Sequence, residues 1–153
     1  MIKSIKKFID KQVSQIEKAS VTEHDIQLAA ATLLFEVIKA DHVIEDSEIT
    51  SVSSLLEKHF SLDKEEVDNL IQLARDSSEE ASCLQSFTRT ICENYDNKQR
   101  CELVQYCWLI AFADGTIDTH ERHLIRKIAS LLYLNDKQII QTRESAKRSL
   151  ALV

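Results

Sequence analysis

The chain has 153 residues, one glycine, no proline and a net charge of −6, where an average domain of this length carries about 11 Gly and 8 Pro. β-Sandwiches, barrels and doubly wound sheets need those residues at their tight turns, so an all-α fold is left standing. A composition of 44% hydrophobic and 29% charged residues excludes a disordered or membrane-spanning chain, and the length suits one domain, residues 1–153, that buries roughly 70% of its unfolded surface.

The first helix, near 2–18, sets Ile2, Ile5, Phe8, Ile9, Val13 and Ile16 on one side and Lys3, Lys6, Lys7 and Lys11 on the other. Later helix starts are marked by short polar residues followed three positions on by Glu or Gln: Ser20/Glu23, Asp63/Glu66, Ser77/Glu80, Asp96/Gln99, Asp118/Glu121 and Asn135/Gln138. A further start falls at Glu45 to Asp46. Between them apolar residues recur at three and four, as in Ile26, Ala29, Ala30, Leu33, Leu34, Val37 and Ile38. The spacing predicts helices near 22–41, 47–59, 64–76, 79–93, 97–113, 119–132 and 136–149, eight with the first, joined by short loops.

An internal repeat runs at an offset of 73, approximately 22–76 against 95–149. Lys39-Ala40-Asp41-His42-Val43-Ile44-Glu45-Asp46-Ser47-Glu48 matches Phe112-Ala113-Asp114-Gly115-Thr116-Ile117-Asp118-Thr119-His120-Glu121 in the pattern A-D-x-x-I-[DE]-x-x-E. Phe35 and Trp108 precede the two copies at equivalent places, and Phe60-Ser61-Leu62-Asp63 and Tyr133-Leu134-Asn135 close the helices that follow. The expected architecture is a compact bundle of about eight helices in two pseudo-symmetric four-helix halves.

Two readings of the repeated turn stand side by side. In the structural one, Gly115 ends a helix in the left-handed region, Ile44 and Ile117 point inward, and Asp118 and Glu121 cap the next helix. In the functional one, Asp41, Glu45 and Glu48, with Asp114, Asp118 and Glu121, supply hard oxygen donors for a divalent cation, calcium or magnesium before zinc. The EF-hand pattern is absent from both turns.

With its duplicated Ala40-Asp41 and Ala113-Asp114 turns, Ile44 and Ile117, and Glu48 and Glu121, the sequence resembles the TerB-domain proteins. These comprise tellurite-resistance TerB and related all-helical bacterial modules, including the one at the front of the DjlA co-chaperone. The likeness covers roughly residues 25 to 149. It implies a compact helical domain, cytoplasmic or at the inner face of the membrane, whose acidic surface binds metal and docks partners in stress response. The family's acidic positions fall on Asp41, Glu45, Glu48, Asp114, Asp118 and Glu121. The first copy departs from the pattern, with His42 where Gly115 stands and Glu45 in place of Asp.

Other features point less far. His120 and His123 stand three apart, a spacing that can put two imidazoles on one metal, although exposed histidines near a helix start explain them as well. Trp108 reads as core. Arg100, Arg122, Arg126, Arg143 and Arg148 are scattered among acids, which argues against nucleic acid as a partner. One glycine rules out nucleophile elbows and phosphate loops, and Cys83, Cys92, Cys101 and Cys107 lack C-x-x-C spacing and read as reduced core residues of a cytoplasmic protein. The chain is therefore expected to be a non-catalytic interaction module with protein partners. A hydrolase using a metal on the same carboxylates is the alternative, as is a membrane-surface adaptor held by residues 1–18, where five Lys face Asp10 and Glu17.

Overall fold

A computed structural model describes residues 21–40, 44, 46–80, 84–113 and 117–151. Among them it holds seven helices and no strand: α1 Glu23–Lys39, α2 Asp46–Phe60, α3 Lys64–Glu80, α4 Gln85–Asn94, α5 Asn97–Phe112, α6 Thr119–Leu131 and α7 Asp136–Ala151. The eighth expected helix, 2–18, lies outside the described residues, as does Cys83.

α1 is buried on every side, through Leu28, Ala29, Ala30, Ala31, Thr32, Leu33, Leu34, Phe35, Val37 and Ile38. A helix apolar all round belongs in the middle of a bundle, and α1 packs against α2, α3, α4, α5 and α6. Its one buried hydroxyl, Thr32, donates to Leu28 O at 2.7 Å, so no polar atom is stranded there. α5 takes the corresponding role in the second half with Leu103, Val104, Cys107, Trp108, Ile110 and Ala111, and lies mainly against α7 and α1. Trp108 is fully buried.

The helix bounds repeat as the sequence does. α1, α2 and α3 correspond to α5, α6 and α7 with ends within two residues of the 73-residue offset, and α4 is the connector between the units. The helix closures repeat too. Ser61 (φ 54°) and Tyr133 (φ 62°) are both left-handed, and each lets the following N–H reach back five residues, Leu62 to Glu57 O at 3.2 Å and Leu134 to Ala129 O at 3.0 Å. This is the Schellman closure, with Leu62 and Leu134 tucking against the bundle.

Three expected boxes form with both hydrogen bonds: Asp63/Glu66, Asp96/Gln99 and Asn135/Gln138. Three others need correction. α1 is capped by Thr22 with Asp25, two residues beyond Ser20/Glu23. Ser77 and Glu80 lie within the last turn of α3, so no helix begins there and α4 starts at Gln85 rather than 79. Asp118 accepts from His120 N–H at 2.7 Å, the second amide of α6 rather than that of Glu121. Ile44, expected to point inward, is 41% exposed, whereas Ile117 packs against the core.

Candidate functional site

The helices that precede the two acidic segments end in the same backbone state. Ala40 (φ −61°, ψ −30°) closes α1 with its N–H on Val37 O, and Ala113 (φ −60°, ψ −29°) closes α5 with its N–H on Ile110 O. The next helices in the chain are α2 and α6. Of the six expected ligands, Asp41, Glu45 and Asp114 lie outside the described residues, as does Gly115.

The other three sit at helix heads. Asp118 is exposed at the N-cap of α6, Glu48 is half-buried in the first turn of α2, and Glu121 is only 3% exposed in the first turn of α6. Carboxylates at these places complement the positive end of the helix dipole. Neither Glu48 nor Glu121 is free, as a carboxylate carried that far out of water requires. Among the described residues no three His, Cys, Asp or Glu side chains converge on one ion position. His120 and His123 are both exposed on α6.

A different polar constellation, which sequence reasoning missed, joins α2 to α5. His59 Nδ1 lies 3.2 Å from Tyr106 Oη and 3.5 Å from Glu102 Oε1, while its Nε2 lies 3.2 Å from Tyr95 Oη. Tyr106 donates its single proton to Glu102 at 2.6 Å, so its oxygen is left to accept from His59 Nδ1–H. In the neutral ring Nε2 then accepts from the Tyr95 hydroxyl, and each group has one defined role. Burial pushes Tyr95 up to about 12, with Glu23 and Glu102 adding to it. Burial, followed by the hydrogen bond to Glu102, raises Tyr106 further. Both phenols therefore stay protonated at neutral pH, and the cluster locks the end of α2 onto α5 rather than supplying a base or nucleophile. Positions 36 and 47 residues apart meet here, and no local periodicity announces such a meeting.

A second long-range polar contact ties α1 to α3. Lys39 Nζ donates to Ser78 O at 3.2 Å and to Ser78 Oγ at 2.8 Å, and Ser78 donates to Glu36. Ser78 is 2% exposed, out of reach of any substrate, so this Ser–Lys pair is a clamp.

The chain is thus a pseudo-repeated helical bundle with acidic turns opening its two equivalent helices. The family model described as tellurite resistance protein TerB matches residues 27–144, and the chain belongs to this family. Among solved structures it is similar to a protein of unknown function from Porphyromonas gingivalis W83, with 19% identity, a TM-score of 0.61, and coverage of 84% of this chain and 98% of that one. That likeness shows a shared fold. Among curated proteins none matches significantly.

Proposed function

We propose that this TerB-family chain is a non-catalytic interaction module of the cytoplasm, in which the second acidic turn, and more weakly the first, binds a divalent cation and presents a surface to protein partners in a stress response of the tellurite-resistance kind. The observation that carries the reading is Glu121: a carboxylate 3% exposed at the head of α6, beside the Asp118 cap and directly after the acidic turn. Oxygen donors held that close to a turn suit calcium or magnesium, whose shells carbonyls and water complete. The thiols Cys92, Cys101 and Cys107 are all unpaired by disulfides, which agrees with a reducing compartment. No helix among the described residues is long and apolar enough to cross a membrane.

Calorimetric titration of chelator-treated protein with calcium, magnesium, manganese and zinc tests it. Asp114→Asn and Asp118→Asn are the informative variants, because Asn keeps the capping ability of Asp and removes the charge. We expect binding by the parent chain that is lost in the folded Asp118→Asn and Asp114→Asn variants. A parent chain that takes up no ion at millimolar concentration would return these residues to plain capping.

A further inference from the structure

α6 presents a basic face on an acidic protein. The helix buries Glu121, Ile125, Ile128 and Ala129 and exposes His120, Arg122, His123, Arg126 and Lys127. Glu121 is its only acidic residue, so burying it leaves a solvent face whose own residues carry no negative charge, with the exposed Asp118 of the N-cap at its head. Among the described residues, none of these five side chains has an ion-pair or hydrogen-bond partner.

The repeat provides an internal control. α2 occupies the corresponding place, and there Ile49, Thr50, Ser53 and Ser54 stand where α6 has Arg122, His123, Arg126 and Lys127. Ile49 packs against the core and Ser53 is half-buried, but at the two exposed positions the neutral Thr50 and Ser54 stand where α6 has His123 and Lys127, so the place in the bundle does not itself require cations there. Unpaired like charges on one face also repel each other at a small cost, which an anionic partner would reverse.

We propose that this face of α6 docks an acidic protein segment carrying carboxylates at helical spacing. Arg122 and Arg126 stand four apart, about one turn, and their planar guanidinium groups match carboxylates bidentately. Lys127 and His123 flank that stripe. A lipid surface suits the face less well: interfacial helices sink an apolar face into the bilayer, and the apolar face of α6 is already spent on the core. A nucleic acid suits it less again, because the face is short, contains no aromatic platform and belongs to a chain of net charge −6. The proposal supplies a partner chemistry for the module described above; it shares with the cation site only the burial of Glu121, and its docking side chains Arg122, His123, Arg126 and Lys127 are not among the proposed ligands.

The test uses a synthetic helical peptide with glutamates at positions i, i+3, i+4 and i+7, and a second peptide of identical composition with its glutamates spread around the helix. Binding to the full chain is followed by fluorescence anisotropy in chelator, so that failure of the cation reading leaves this one readable. The patterned peptide should bind more tightly than the spread one, and more weakly as salt rises. Arg122→Glu with Arg126→Glu should reduce affinity roughly tenfold or more, the milder Arg122→Gln with Arg126→Gln should reduce it partially, and Thr50→Glu with Ser54→Glu on α2 should leave it unchanged. Equal binding of the two peptides, indifference to the arginine variants with circular dichroism intact, or tighter binding to phosphatidylserine vesicles or single-stranded RNA would each overturn the proposal.

Discussion

Ser61 and Tyr133 hold a backbone conformation that favours glycine, at φ 54° and 62°. Their Cβ atoms crowd the neighbouring carbonyl oxygen there, at a cost of roughly 1–2 kcal/mol, and the Schellman closures they permit offset it. Tyr133 is 77% exposed and gains little packing in return. Tyr133→Gly should therefore stabilise the chain by about 0.5–1 kcal/mol, once the added freedom of the unfolded glycine is subtracted. Urea denaturation reads this directly, and a lower midpoint for the variant would show that the tyrosine ring carries packing worth more than the strain. The sequence places both residues at helix ends, since each precedes Leu and a capping Asp or Asn. Their left-handed geometry is not legible there, because neither is glycine.

At the scale of elements, the end of α3 shows how a tertiary contact overrides a local signal. Ser77 and Glu80 read as a helix start, yet α3 continues to Glu80 because its neighbour Ser78 is held by Lys39 and Glu36 from α1. The capping pattern has no view of a lysine 39 residues away. Ser78→Ala removes an acceptor from Lys39 and a donor from Glu36 in a half-buried setting, and should cost about 1–3 kcal/mol. The loss should concentrate in faster amide exchange at the α1 and α3 C-termini, and an unchanged urea midpoint would count against the clamp. Boxes that depend only on residues three apart, such as Asp63/Glu66 and Asp96/Gln99, were readable because donor and acceptor lie within one turn.

For the whole molecule, the buried hydroxyl and thiol groups set an alkaline limit. Burial holds Cys107 protonated up to about 12 against its ordinary 9.0, and Tyr95 up to about 12 against 10.0. Burial likewise raises Cys92 and Cys101. Between those values the unfolded chain has released protons that the folded chain keeps, so unfolding is favoured as pH rises. Stability from these groups is complete below about pH 9 and is lost progressively toward pH 12. Urea midpoints taken across this range should fall, and Cys107→Ala should soften the first part of the fall; a flat profile would contradict the assignment. The same burial should keep Cys107 unreactive toward thiol reagents in the native chain, since the thiolate is the nucleophile.

The fold class and the repeat were settled by the amino-acid sequence alone. Scarce glycine and absent proline, the three-and-four spacing of apolar residues and the A-D-x-x-I-[DE]-x-x-E duplication are local or periodic properties, and helices obey local rules. Tertiary structure decided which side chains share a neighbourhood. His59 met Tyr95, Tyr106 and Glu102 only when α2 lay across α5. The arginines of α6 looked interspersed with acids along the chain, and became a continuous basic face only when the bundle took Glu121 inside. Charge along a sequence is one-dimensional, whereas the charge a partner meets depends on which carboxylates the core has withdrawn from water.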